Sequence, residues 1–166
     1  MRRTHDLDAK DQQILALLEV DARRPNSDIA RLTGLSAPTV AERIARLRDT
    51  GVIKGFTVQI DAARVGLPIH AVIQFRPAKL NDDEAAELVS KLPEVRDCFR
   101  VTGEVLLVIV VRVADTERLR TLLAYLYKHG ETSTSVILNI EVEQRPIFAA
   151  PEPERLKAWL EDDLKA

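Results

Sequence analysis

Residues 26–53, NSDIARLTGLSAPTVAERIARLRDTGVI, read as two short helices joined by a tight turn. Asn26 or Ser27 can cap the first helix, which runs to about Thr33, and Gly34 supplies the positive φ that ends a helix with least strain. Ser36 caps the second, and Pro38 in its first turn removes an amide that has no intrahelical partner. Val40, Ile44 and Leu47 follow at helical spacing and define a buried face. Thr39, Glu42, Arg43 and Arg46 fall on the adjoining stripe at i, i+3, i+4 and i+7, so two guanidinium groups and a hydroxyl are expected to project from one side. Such a stripe suits nucleic acid: arginine pairs bidentately with guanine O6 and N7, while hydroxyls and helix N-terminal amides bind phosphate and set register. Arg48 lies on a different side and is left out of the base-reading set. An ordinary helical hairpin with a solvated charged face is the plainer alternative. The coincidence of a glycine turn, a Ser/Pro start and a basic stripe favours a helix that enters DNA.

Upstream, Asp8 can cap a further helix whose Ile14, Leu15 and Leu18 form an apolar face, completing a three-helix unit. Downstream, Gly51 ends the reading helix, and Phe56, Val58 and Ile60 alternate with polar residues as a strand does. Residues 61–68 read as a hinge. Beyond it the pattern changes: HAVIQFRP, a helix after Asn81 through Leu92, VRDCFRVT, VLLVIVVRV, a helix after Asp115 through Lys128, and TSTSVILNIEVEQ. The order is βαββαβ, with Gly103 and Glu104 in the turn of a central hairpin. The fold class is therefore α+β, an N-terminal (winged) helix-turn-helix followed by a ferredoxin-like half. A small sheet covered on one face leaves strands as apolar as VLLVIVV partly wet, so dimerisation through the other face is expected. The expected domains are 1–60, the hinge 61–68, 69–146, and a tail 147–166 in which Leu156, Trp159, Leu160 and Leu164 stripe a helix.

The chain resembles the Lrp/AsnC, or feast/famine, transcription regulators. The LDxxDxxIL opening of that family stands here as Leu7, Asp8, Asp11, Ile14 and Leu15. Its continuation stands as Arg23, Ile29, Ala30, Leu35, Ser36, Val40, Arg43, Ile44, Leu47, Gly51, Val52 and Ile53. The likeness runs from about residue 6 to about residue 146. It implies operator DNA as a partner, with Ser36, Thr39, Glu42, Arg43 and Arg46 at the contact. It also implies homodimers that assemble into tetramers or octamers, with a small effector, usually an amino acid or a derivative, held between dimers. By the same resemblance the effector residues are Gly103, Glu104 and Leu106 in the hairpin turn, with Thr132 and Thr134 in the hydroxyl-rich entry to the last strand. The chain departs from the family at Leu106 and Leu107, where members often carry aspartate and tyrosine; Glu104 is then the carboxylate left for a ligand ammonium.

Composition narrows the classes further. The 166 residues are 46% hydrophobic, enough for packed cores, and no apolar run approaches the length of a bilayer span. The charged start lacks the apolar region of a signal peptide, so cytoplasmic residence is expected, with no membrane partner. Net charge is −2, but residues 1–60 hold ten Lys/Arg against eight Asp/Glu, and residues 61–166 fourteen against eighteen. The basic excess sits in the helical half. Cys98 has no disulfide partner and is expected to be a buried thiol. His5, His70 and His129 have no metal-ligand spacing, and Asp82, Asp83 and Glu84 are explained by the first turn of a helix capped by Asn81. No catalytic residue, cofactor or metal is expected. The enzyme alternative is the sirohaem decarboxylases, which share the architecture but carry an RRFGA-like stretch where this chain has residues 54–57, KGFT, with only His70 nearby.

Overall fold

The computed structural model describes residues 7–143 and 145–148. The tail stripe from Leu156 to Leu164, and His5, lie outside them. The described residues divide into two compact units, one holding residues 7–58 with 142, 143 and 145–148, the other residues 59–141.

In the first unit, α1 (Ala9–Val20) starts from a capping box: the Asp8 carboxylate accepts the Asp11 N–H at 2.8 Å, and Asp11 accepts the Asp8 N–H at 3.4 Å. α2 (Asn26–Thr33) begins one residue earlier than the capping pattern suggests. Pro25 is its N-cap and has no side-chain cap bond; its carbonyl accepts the N–H groups of Asp28 and Ile29. Asn26 and Ser27 therefore lie inside the first turn, because proline presets the entry φ at a position that needs no donor. Gly34, at φ 69°, ends α2 in the left-handed region, and Lys10 Nζ donates to the Thr33 carbonyl beside that turn. α3 (Ala37–Asp49) starts at Ser36, whose Oγ accepts the Thr39 N–H at 3.3 Å. Ile14, Leu18, Ile29, Ala30 and Val40 close the core, with Leu35, Ile44 and Ile53 packed around it. Full burial of side chains such as Ile14, Ile29 and Val40 stabilises by about 1.5–3 kcal/mol each.

Residues 54–61 form no strand, contrary to the alternation of Phe56, Val58 and Ile60, which stay 49%, 74% and 66% exposed. The pattern encodes a strand, but among the described residues the only sheet is the four-stranded one of the second unit, and a strand without a ladder is not stable in water.

The second unit contains β1 (Ile69–Pro77), α4 (Asp82–Ser90), β2 (Val95–Arg100), β3 (Leu107–Val113), α5 (Thr116–Tyr127) and β4 (Gly130–Val136). The sheet is antiparallel in the order β2-β3-β1-β4, the βαββαβ arrangement expected. Ala71, Ile73 and Phe75 alternate with Leu107, Ile109, Val111 and Val113 on the helix-covered face, against Ala85, Val89, Leu119, Leu122 and Leu126. Val72, Val108 and Val110 point to the other face and stay half-buried. The last strand is shorter than its apolar sequence suggests. Its ladder with β1 ends at the Ala71–Val136 pair; Ile137 adds an N–H bond to the His70 carbonyl at 2.8 Å, and Leu138 beyond it is 96% exposed. Cys98 is exposed rather than buried, since β2 is an edge strand; partial desolvation pushes its thiol pKa up.

Candidate functional site

Four of the five residues read as DNA contacts, Thr39, Glu42, Arg43 and Arg46, line one groove on α3, and Ser36 stands at the N-terminal end of the same helix. The Ser36 and Thr39 hydroxyls are hydrogen-bonded to each other at 2.8 Å near solvent. Glu42 is exposed. The two arginines do not project as the spacing suggests. Arg43 Nη1 donates to Asp8 Oδ2 at 2.6 Å and to Asp11 Oδ1 at 2.9 Å, and Arg46 Nη2 donates to both Asp11 oxygens at 3.0 and 2.8 Å. Asp11 is 1% exposed, whereas the Arg43 and Arg46 side chains are 23% and 56% exposed. The hydrogen bond from Arg43 is the main cause holding the Asp8 carboxyl below its ordinary pKa, and the bonds that Arg43 donates to Asp8 and then to Asp11 raise its own. A buried carboxylate thus clamps α3 to α1 through two guanidinium groups. Spacing on α3 identifies a face but not what it meets. The signal for what it meets is the pair Asp8 and Asp11, three residues apart at the start of α1, of which the sequence pattern assigns only Asp8 a capping role.

The predicted effector residues gather at one end of the sheet. In the turn after β2, Gly103 sits at φ 109° with open space around it, so only its backbone conformation calls for glycine. Glu104 is exposed. Leu106 faces inward: its side chain packs on the core, its N–H donates to the Phe75 carbonyl at 3.2 Å, and its carbonyl accepts the Val101 N–H at 3.0 Å. Leu107 is wholly a core residue, 1% exposed. On the other side of β1, Thr132 and Thr134 stand opposite Phe75 and Ile73, so both point to the helix-covered face. Thr132 Oγ1 is buried and has no hydrogen-bond partner among the described residues. Phe75 pairs with both Leu107 and Thr132, which puts the turn and the threonines two strands apart, roughly 10 Å at usual strand spacing. Gly130 permits this junction: a Cβ there would lie 2.2 Å from the Arg76 carbonyl oxygen. Among the described residues no His, Cys, Asp or Glu cluster is arranged to hold a metal ion, and no helix is long and apolar enough to cross a membrane.

A capped helix-turn-helix with a clamped third helix, followed by a ferredoxin-like domain with a loop-and-threonine junction, defines the class of two-domain DNA-binding regulators. The AsnC-type helix-turn-helix domain matches residues 7–48, and the Lrp/AsnC ligand binding domain matches residues 70–147. The chain belongs to the Lrp/AsnC family, and it is a DNA-binding transcription regulator. It is 34% identical over 117 residues to the HTH-type transcriptional regulator FL11 of Pyrococcus horikoshii, covering 70% of this chain and 78% of that one. It is 36% identical over 121 residues to the regulator AldR of Mycolicibacterium smegmatis, covering 71% of each. Among solved structures, the feast or famine regulatory protein of M. tuberculosis complexed with L-methionine superposes with a TM-score of 0.78 at 32% identity, covering 84% of this chain and 97% of that one.

Proposed function

We propose that the chain reads operator DNA through α3, as a homodimer or a higher assembly of dimers, and that a free amino acid or close derivative biases that assembly. The observation that carries the reading is the clamp of Arg43 and Arg46 on Asp8 and Asp11, which fixes α3 and its basic stripe before DNA arrives. Arg46, more than half exposed, has donors left for guanine edges or phosphate. Arg43, three-quarters covered, steadies the helix, while Ser36 and Thr39 offer hydroxyls to phosphate. In a dimer two such helices enter successive major grooves one helical turn apart. Residues 1–60 would do the reading, 61–68 would serve as hinge, 69–146 would sense and assemble, and the protein would act in the cytoplasm without a catalytic step. Oligomer formation is supported by the exposed strand-like residues Phe56, Val58 and Ile60 and by the half-buried valines of the open sheet face.

An amino-acid effector is supported by the L-methionine complex of the relative, by exposed Glu104, and by the unpartnered Thr132 hydroxyl across Phe75. The DNA arm is tested with an operator selected from random duplexes and fluorescence anisotropy. The Arg43→Ala/Arg46→Ala protein is expected to lose operator affinity at unchanged oligomer size; full binding by that variant, shown folded by circular dichroism, sinks the assignment of the reading helix. The effector arm is tested by thermal shift against the free amino acids, since a ligand of the native assembly raises its stability by mass action. Glu104→Gln should change that response and leave DNA binding without effector intact; an unchanged response removes Glu104 from the site.

A further inference from the structure

We propose that Lys10 is a positioning residue for DNA reading, a role that rests on α3 being the reading helix. From α1 its ammonium holds the turn between α2 and α3, and so sets where Ser36, Thr39 and the start of α3 stand. Lys10 Nζ donates to the carbonyl of Thr33, the last residue of α2. That carbonyl belongs to the peptide unit joining Thr33 to Gly34, the residue at φ 69° on which the turn pivots. Among the described residues, and apart from its chain neighbours, a Cβ placed on Gly34 would meet only Lys10 Nζ, at 4.0 Å. Glycine is the residue least restrained by its own side chain, so a turn built on it takes its fixity from elsewhere. Thr33 is 3% exposed, and the Lys10 side chain is itself half-buried. The ammonium therefore reaches inward to a covered residue.

The rest of that helix end is satisfied from within. The Gly34 and Leu35 N–H groups both donate to the Ala30 carbonyl, Leu35 at 3.1 Å, and the Thr33 hydroxyl donates to the Ile29 carbonyl at 2.8 Å. Arg31, the basic residue of the last turn, is directed at Asp28, 3.8 Å away. The Thr33 carbonyl is one of the helix-end acceptors without an intrahelical donor, and a cation there also meets the negative end of the α2 dipole. Within α1 Lys10 has no such advantage: it stands in the first turn, where the dipole favours acids and where Asp11 is the acidic residue. What Lys10 reaches, not the helix it belongs to, accounts for a lysine at this place. Lys10 and Asp11 are consecutive, and together they hold α3 at two points. Asp11 takes the middle of the helix through Arg43 and Arg46, and Lys10 takes the turn that feeds it, with only Gly34 and Leu35 between its acceptor residue and Ser36. Ser36 and Arg43 are seven residues apart, roughly 10 Å of helix. One point leaves a helix free to tilt about it; two points that far apart fix its direction. Lys10 thus acts on the Ser36 and Thr39 hydroxyls through the turn rather than on DNA itself.

The test uses the full chain, the selected operator duplex and fluorescence anisotropy over a series of salt concentrations. Lys10→Met, which keeps an unbranched stem and removes the charge, is expected to weaken operator binding roughly tenfold. The slope of log affinity against log salt should not change, since no phosphate contact is lost. Lys10→Arg should restore most of the affinity, because a guanidinium can donate to the same carbonyl. Hydrogen exchange across residues 34–36 should quicken in Lys10→Met and not in Lys10→Arg. Leu18→Val, a core change on the same helix, is the stability control. It should lower Tm yet leave operator affinity within about twofold at a temperature where the parent and both variants are fully folded. A salt slope that falls by about one in Lys10→Met overturns the proposal, because Lys10 would then be a phosphate contact. So does an unchanged affinity, or a loss that Leu18→Val reproduces at an equal fall in Tm. Full binding by the Arg43→Ala/Arg46→Ala protein removes the reading helix and the role of Lys10 with it. Lost binding in that protein beside full binding by Lys10→Met overturns the role of Lys10 alone.

Discussion

Replacing Asp11 by asparagine should loosen the first unit far more than a helix-surface change does. Asp11 is 1% exposed and accepts one guanidinium bond from Arg43 and two from Arg46, at 2.9, 3.0 and 2.8 Å. Hydrogen bonds to charged groups contribute about 1.5–3 kcal/mol each, but these three are not additive because Arg46 makes two of them with one nitrogen. Breaking a buried ion pair costs about 3–5 kcal/mol when it strands a buried charge. Here it strands none: Arg43 retains Asp8, and Arg46 is 56% exposed and can rehydrate. We therefore expect about 2 kcal/mol for Asp11→Asn, and about 3 kcal/mol for Asp11→Ala, which also removes the capping-box partner of Asp8. For a domain of this size 2 kcal/mol corresponds to a fall in Tm of roughly 8–16 °C. Thermal melts followed by circular dichroism at 222 nm measure the fall, and hydrogen exchange of α1 and α3 peptides assigns it to the first unit. A cycle with Arg46→Ala should show coupling on the order of 1 kcal/mol. If Asp11→Asn and Asp11→Ala both stay within about 0.5 kcal/mol of the parent, the clamp contributes nothing and the reasoning fails.

The same clamp predicts an acid response. Because Arg43 lowers the Asp8 pKa in the folded chain, the Asp8 contribution is complete above the ordinary carboxylate value, about 3.9, and is lost as pH falls through the lower folded value. Asp8→Asn should flatten the stability–pH curve in that window; a curve identical to that of the parent would show that the pair has no linkage. Gly130→Ala should destabilise the second unit by about 1–3 kcal/mol in urea unfolding, since backbone atoms at 2.2 and 2.7 Å from the new Cβ cannot give way as a flexible side chain can. An unchanged urea midpoint would mean that the β1–β4 junction opens freely.

Local rules carried most of the fold. Asp8, Ser36 and Asn81 cap the helices they were read to cap, Gly34 takes the left-handed turn, and the βαββαβ order appears in the sheet as strand order β2-β3-β1-β4. These features depend on residues within a few positions of each other. What periodicity missed depends on distant partners. Phe56, Val58 and Ile60 carry the right alternation, but pairing needs a second backbone that the described residues do not supply. The last strand is shorter than its apolar residues suggest, because the regular ladder with β1 stops at the Ala71–Val136 pair although Ile137 and Leu138 continue the pattern. On α3 the face was legible, whereas Arg43 and Arg46 meet Asp8 and Asp11 across more than thirty residues of sequence.

On the proposed assembly, the clamp also bears on why the chain would act in several copies. Two arginines on the reading helix share a buried carboxylate with a second carboxylate beside it, and exposed Glu42 and Asp49 stand on the same helix. The field that α3 presents to phosphates is therefore weaker than a count of its arginines suggests, and non-specific attraction to DNA falls with it. On the proposed reading Glu42 would accept from a cytosine amino group, so the helix would keep the means to discriminate while losing general grip. A domain built in this way gains occupancy by linking several weak, selective contacts rather than by strengthening one. Any small molecule that shifts the number of linked copies would then change DNA occupancy steeply without touching α3, so on this reading a sensing and assembling domain on the same chain would be enough for regulation.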